Sequence, residues 1–288
     1  MDLRSILMGL AFVAMWSSAF TSAHIIVAAA PPISALALRF LIAGLLGVFI
    51  AKMLGQTWRL TPQQWRATII FGICQNTLYL GLNFVAMQTI EASLAAIIAS
   101  TMPLLVALAG WVFFREKLPQ MATFGLIGGF AGVVIIMGNR LSGGVDVYAL
   151  GLCVIGVLAL TVATMAMRGA SSKGNFLMVV GLQMLIGSAI LSVVAVSTET
   201  LVINWSWQLI VAFIYTILVP GLAATLVWFL LVERIGATRA ATFHFLNPFL
   251  GVAIAAVILS EPLQVYDMIG VAVIMGGILA VQLSKKRV

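Results

Sequence analysis

Residues 248–263 read PFLGVAIAAVILSEPL, and residues 103–118, 145 positions earlier, read PLLVALAGWVFFREKL. Extending the same offset aligns residues 84–137 with 229–282 without a gap. Phe84 falls on Phe229, Ile90 on Ile235, Ala92 on Ala237, and Ala95 and Ala96 on Ala240 and Ala241. Pro103 falls on Pro248, Glu116 on Glu261, Leu118 on Leu263, Gly125 on Gly270 and Gly132 on Gly277. Unrelated apolar segments share alanines and leucines by chance. A proline, a glutamate and two glycines in register mark an internal repeat.

Composition decides which solvent surrounds that repeat. Of the 288 residues 63% are hydrophobic and 8% charged, and the mean hydropathy is +1.18. A soluble domain carries roughly 25% charged residues, so this chain cannot cover a water-facing surface. Its apolar stretches recur at about the 20 residues that cross a hydrocarbon core of about 30 Å. They lie near 5–27, 32–53, 67–88, 92–114, 120–138, 148–167, 175–196, 208–231, 237–259 and 265–283. In lipid the backbone must satisfy its own hydrogen bonds, which uninterrupted apolar runs do as helices. The first stretch has a short charged start and no small-residue cleavage site, so a retained helix is expected rather than a signal peptide. Ten helices give five per repeat, an odd number, so the second half must lie inverted in the membrane. The expected fold class is an all-α membrane protein with ten transmembrane helices in two inverted five-helix repeats. The repeats span 1–138 and 148–283, with a periplasmic linker at 139–147 and a basic cytoplasmic tail at 284–288.

Charge supports that topology. With ten helices, the termini and even-numbered loops share one side. That side holds Arg4, Lys52, Arg59, Arg66, Arg115, Lys117, Arg168, Lys173, Arg234, Arg239, Lys285, Lys286 and Arg287. The other side holds Arg140 alone, with Arg39 set inside helix 2. This positive-inside bias places both termini in the cytoplasm of a multi-pass protein of the bacterial inner membrane. The net charge of +7 is spread over loops rather than gathered in a patch, so no nucleic-acid partner is expected. Cys74 and Cys153 fall inside apolar stretches and read as small buried hydrophobes rather than a disulfide or metal pair.

The tryptophan and serines of AMWSSAF in helix 1, the LRF of helix 2, and the two copies quoted above resemble the EamA family of the drug/metabolite transporter superfamily. The resemblance covers essentially the whole chain. It implies ten helices in two inverted halves around a cavity lined by helices 1, 3, 4, 6, 8 and 9. Within the superfamily the chain looks most like the bacterial amino-acid exporter branch.

Polar residues inside the apolar stretches are the candidates for substrate contact, because at that depth they point into a bundle or a wet cavity. In helix 9, TFHFLNPFL at 242–250 carries Phe243, His244 and Asn247 beside Pro248, whose missing N–H kinks a helix and exposes carbonyls. Helix 3 carries Asn76, Tyr79 and Asn83 on one face, with Gln75 beside it. Helix 1 offers Trp16, Ser17, Phe20 and His24, the last near the outer end, where a solvated histidine is expected. Helix 4 has Ser100, Thr101 and Met102 before Pro103. Helix 6 contributes Thr161 and Thr164, and helix 8 has Pro220 mid-span and Trp228 near its inner end. The expected substrate-binding set is Trp16, Ser17, Phe20, Asn76, Tyr79, Asn83, Ser100, Met102, Thr164, Trp228, Phe243, His244 and Asn247. The alternative for each polar member is interhelical hydrogen bonding, or a hydroxyl bonded to its own helix. Arg39, Glu91, Pro103, Pro220 and Pro248 are assigned gating or structural roles. Arginine at position 39 belongs to the helix 2 pattern of the resembling family, and Glu91 or helix-end carbonyls are its candidate partners. Glu116 and Glu261 precede helices 5 and 10 and are expected to cap them, with Pro119 and Pro262 at the helix starts. Small residues four apart in helices 5 and 10 (Gly125 and Gly129, Gly128 and Gly132, then Ala272, Gly276 and Ala280) predict close scaffold packing.

No phosphate-binding GxxxxGK[ST] pattern occurs, so ATP is not the energy source, and no cofactor or metal is expected. Two histidines and no buried acid leave nothing to build an enzyme site from. All eight carboxylates map to loops or helix ends. Proton-coupled carriers place an acid within the membrane, so facilitated diffusion or exchange is expected, with His244 the sole mid-membrane titratable candidate. Only Arg39 could meet a phosphate. Aromatic, amide and hydroxyl groups suit a small zwitterion with an apolar side chain. Alternating access of the two halves about the midplane would move it. The expected partners are a small solute and the lipid bilayer, with the chain a monomer or weak homodimer. Multidrug efflux of organic cations is the rival, since aromatic faces also hold cations.

Overall fold

Ten helices long and apolar enough to span a bilayer make up the computed structural model, which describes residues 2–166, 174–236 and 240–284. No strand occurs among the described residues. The expected basic tail and Arg168, Lys173 and Arg239 lie outside them. The helices are α1 (Leu3–Val27), α2 (Pro32–Met53), α3 (Pro62–Ala86), α4 (Ala92–Phe114) and α5 (Gln120–Ser142). The second five are α6 (Val147–Ala166), α7 (Phe176–Thr198), α8 (Trp207–Val232), α9 (Thr242–Leu259) and α10 (Val265–Ser284).

The start of α3 and the end of α5 differ from the sequence reading, each for a local reason. α3 starts five residues before its apolar window because Thr61 and Gln64 form a reciprocal capping box ahead of Pro62. α5 continues through Asn139 and Arg140, so the expected linker at 139–147 shrinks to residues 143–146. These two polar residues do not end the helix, because Gln264 and Asp267 receive them. Asp146 then caps α6 by accepting from the N–H groups of Tyr148 and Ala149. The hydroxyl of Thr89 and the Ala149 N–H hold the Asp146 carboxyl below the usual carboxylate range.

Contacts divide the chain into two compact units that cut across the sequence repeats. The first holds Met1–Thr21, Thr89–Gly151 and Ala223–Val288, and the second Ser22–Gln88 and Leu152–Leu222. In the first unit the most extensive packing is α5 on α10; in the second it is α2 on α7. Each pair consists of helices 145 positions apart in sequence, which fits the inverted repeat. The glycines show how close α5 and α10 come. A Cβ on Gly125 would lie 2.7 Å from the Gly277 carbonyl oxygen, and one on Gly132 2.7 Å from that of Gly270. Gly277 and Gly270 are the repeat mates of Gly132 and Gly125, so the contact is reciprocal, as a two-fold requires. Gly129 fits under Leu104 of α4, whereas Gly128 and Gly276 meet nothing within 4 Å. Positions 125, 129 and 132 share one face of a 3.6-residue helix, and 128 falls about 100° off that of 129. In the second unit Gly44 and Gly47 of α2 meet Gly181 of α7, and the Ser188 hydroxyl donates to the Ala37 carbonyl.

The carboxylate expected to cap α10 caps α4 instead. Glu261 accepts from the N–H groups of Ala92 and Ser93 at 2.8 and 3.0 Å. The turn after α9 reverses at Ser260, which has φ 57°, and aims the following carboxylate at the exposed N–H groups of a neighbour rather than its own helix. Its repeat mate Arg115 has φ 53°. The second unit uses the same device. Glu199 accepts from Ile33 N, Ser34 N and Ser34 Oγ at the start of α2, while Gln56 accepts from Met178 N at the start of α7. Replacing Glu261 with alanine is expected to cost about 1–2 kcal/mol. The thermal midpoint in detergent should drop by a few degrees, and Glu261→Gln by less. An unchanged midpoint in Glu261→Ala would show the cap to be idle.

Candidate functional site

In the first unit a set of rings gathers around His244. Phe12 and Trp16, one turn apart on α1, have centroids 5.8 Å apart. Trp228 of α8 lies 4.7 Å from Phe12. The His244 ring meets Phe12 edge-on at 5.2 Å, Trp228 at 5.1 Å and Trp16 at 6.4 Å. Such edge-to-face contacts suit the ring quadrupoles. Phe12 was not among the sequence candidates. Its one signal was the i, i+4 spacing to Trp16, which any apolar pair in a membrane helix can show.

Pro248 positions the imidazole. It has no N–H to donate to the His244 carbonyl four residues back, and its ring crowds that carbonyl. The Asn247 N–H takes the carbonyl instead, and residues Thr242–Leu246 tighten into a 3₁₀ turn before the α-helical segment Asn247–Leu259 begins. At the proline, where a kink was expected, the helical pitch changes. The tighter turn puts His244 and Asn247 nearly one above the other, since side chains three apart eclipse in 3₁₀ geometry. Asn247 Nδ2 lies 2.9 Å from His244 Nδ1. A neutral imidazole accepting there carries its proton on Nε2. Asn247 Oδ1 is then buried without a donor among the described residues. Its main-chain oxygen receives the Ser17 hydroxyl at 3.4 Å. The arrangement offers a buried acceptor without a donor, held beside aromatic faces.

The other first-unit candidates are placed differently. Phe243 is buried, with its ring where a Cβ on Gly9 would sit, so it packs α9 on α1. Phe20 is buried. α4 breaks at Ser100 and Thr101, whose hydroxyls donate to the Ala96 and Ile98 carbonyls at 2.6 and 2.7 Å. Met102 and Pro103 open its second segment and are half-buried.

In the second unit Asn76 and Tyr79 of the α3 polar stripe lie in a π-helical segment, Gly72–Tyr79, and Asn83 lies in the α-helical segment that follows. The Asn76 amide donates to the Gln183 carbonyl of α7 at 2.9 Å, and Asn76 packs where a Cβ on Gly187 would sit. Asn83 donates to the Tyr79 carbonyl and accepts from the Cys153 thiol at 3.4 Å. Both amides therefore join helices. Tyr79 is buried. The Thr164 and Thr161 hydroxyls donate to the Leu160 and Val157 carbonyls of their own helix. Pro220 sits in a second π segment, Ile217–Ala223, which begins 145 positions after the first. There Pro220 cannot serve the carbonyl four residues back, and a wider turn lets residue 221 approach it. No prolyl signal marks the α3 segment, and nothing in the sequence announced it.

Among the described residues the charged candidates resolve into a clamp at Arg140 and a separate group, Arg39, whose buried Nε has no hydrogen-bond partner. Arg140 is buried, with Nη1 2.8 Å from Glu91, Nη2 2.6 Å from Asp267 Oδ2 and Nε 3.3 Å from Oδ1. Glu91 thus binds Arg140, not Arg39, because the first turn of α10 and the end of α5 bring a second acid to the same guanidinium. A polar cavity of about 560 Å³ adjoins this clamp, lined by Thr89, Glu91, Asn139, Arg140, Ser142 and Gln264 among others. An apolar cavity of about 210 Å³ lies between the starts of α2 and α8. Its lining includes Leu38, Trp205 and Phe213 and offers almost nothing to orient a polar solute. At the start of α1, Asp2 pairs with Arg234 and Ser5, which hold its carboxyl well below the usual range. Among the described residues no group of three or more histidine, cysteine, aspartate or glutamate side chains could hold a metal ion.

Ten helices long and apolar enough to span a bilayer define a polytopic membrane protein. Residues 3–138 and 147–283 each match the EamA-like transporter family, and the chain belongs to that family. It is 27% identical to the uncharacterized transporter YvbV of Bacillus subtilis over 275 residues, 95% of this chain and 90% of that protein. It is 26% identical to an uncharacterized transporter of Archaeoglobus fulgidus over 269 residues, covering 92% and 94% of the two chains. A solved crystal structure superposes with a TM-score of 0.71 at 21% identity, covering 99% of both chains, a likeness of fold.

Proposed function

We propose that this transporter exports small amphipathic metabolites, amino acids including aromatic ones, across the bacterial inner membrane by alternating access, with both termini cytoplasmic. Facilitated diffusion or exchange moves the solute. The observation that carries the reading is the unpaired Asn247 Oδ1 held beside His244, Trp16 and Trp228. A buried acceptor without a donor is costly, and the ammonium of an amino acid supplies one. The ring faces accept an apolar side chain. Organic cations are the second reading, favoured by the same rings; a quaternary cation, however, has no N–H for Asn247.

Counterflow in proteoliposomes with amino acids, organic cations and nucleotide sugars tests the choice. Unlabelled amino acids should compete with labelled phenylalanine, and methyl viologen should not. Asn247→Ala is expected to lower phenylalanine flux about tenfold, the effect of one charge-assisted hydrogen bond of about 1.5 kcal/mol. Competition by methyl viologen alone would replace this reading with cation efflux.

A further inference from the structure

The polar cavity of about 560 Å³ beside Arg140 is separate from the rings around His244, none of which lines it. Its walls come from one compact unit: the turn into α4, the end of α5 with residues 143–145, and Gln264 just before α10. A pocket of this size has room for a small solute.

Its charge is unbalanced. Residues 87–95, 138–150 and 260–268 carry Glu91, Asp146, Glu261 and Asp267 against Arg140 alone. Asp146 and Glu261 sit at helix starts, whose positive ends offset them. The clamp itself sets two carboxylates on one guanidinium. Asp267, with a side chain 3% exposed, takes both Nε and Nη2 and so neutralises Arg140 as a bidentate pair. Glu91 is the surplus negative charge, and its side chain is 31% exposed beside the cavity.

The free hydrogen-bonding groups point the same way. Glu91 binds Arg140 through Oε2, and its Oε1 has no partner among the described residues. Asn139 donates through Nδ2 to Gln264, which leaves its Oδ1 as an acceptor. The Gly143, Gly144 and Val145 N–H groups turn back onto the Asn139, Leu141 and Arg140 carbonyls. An anion therefore finds no N–H in that loop, and the negative end of α5 repels it.

We propose that this cavity is a second binding site of the carrier, for the primary ammonium group of a small solute. The ammonium donates to Glu91 Oε1 and Asn139 Oδ1, and its charge balances the surplus carboxylate. A primary ammonium suits the task because it brings three donors and no acceptor. The site is distinct from the one at His244 and stands whether or not amino acids are the cargo.

Thermal shift of the purified full chain in detergent tests this with ethanolamine, tetramethylammonium and acetate. Ethanolamine should raise the wild-type midpoint saturably, and less so in high salt. Tetramethylammonium, a cation without N–H groups, should bind at least tenfold more weakly, and acetate should have no effect. Glu91→Gln keeps the Asp267 half of the clamp and should weaken ethanolamine binding tenfold or more; Glu91→Asp should retain part of it. A Glu91→Gln chain that binds ethanolamine as well as wild type does overturns the proposal, and a lower midpoint without ligand would then assign Glu91 to holding Arg140 alone. Should that variant not fold, a wild type that ignores ethanolamine, or responds equally to tetramethylammonium, overturns it. An ethanolamine response lost in phosphatidylethanolamine nanodiscs but kept in phosphatidylcholine ones supports the site and assigns its ammonium to a lipid headgroup.

Discussion

Arg140→Gln is expected to remove about 3–5 kcal/mol of folding stability, the usual result of breaking a buried ion pair by deleting one partner. Asp267 is 2% exposed and would be left charged among apolar helices, with Glu91 facing it. The adjoining cavity of about 560 Å³ admits water and places the loss toward the lower end of that range. The measurement is the thermal midpoint of the purified protein. Adding Asp267→Asn to Arg140→Gln should restore a good part of the loss, because the second change removes the uncompensated charge. A single variant whose midpoint stays within a degree of wild type would mean that the clamp contributes nothing.

Gly277→Leu should be nearly as damaging. A Cβ there would lie 2.5 Å from the Gly125 carbonyl oxygen and 2.7 Å from the Gly129 backbone nitrogen. These are backbone atoms, so no rotamer change relieves the clash and the two helices must separate. Overpacking of this kind costs about 1–3 kcal/mol, and here it also forfeits the most extensive helix contact of the first unit. The yield of monodisperse protein should fall several-fold. Gly276→Leu, one residue away, meets nothing within 4 Å and should be tolerated. Equal yields for the two variants would contradict the assigned face.

Much of the fold was legible before any coordinate. Lipid as solvent leaves a chain of this composition one way to satisfy its backbone, so spans could be read from hydropathy alone. The offset of 145 residues carried more. It put Pro103 and Pro248 in register, and the π segments at Gly72 and Ile217 begin at the same spacing. Of the candidate site, Trp16, Ser17, His244 and Asn247 were each picked out by residue type and depth. Asn76 and Asn83 looked the same by those criteria, yet the structure commits their amides to α7 and to α3 and α6. Phe12 was invisible, because an apolar ring in an apolar helix carries no sign of which neighbour it meets.

The sequence by itself determined the solvent, the number of spans, the repeat and the family. Tertiary structure alone decided which charge met which. Glu91 went to Arg140, Glu261 to the start of α4, and Arg39 Nε was left buried without a hydrogen-bond partner among the described residues. The reason is physical: hydropathy and periodicity are sums along the chain, whereas a hydrogen bond or ion pair depends on ångström-scale proximity between residues far apart in it.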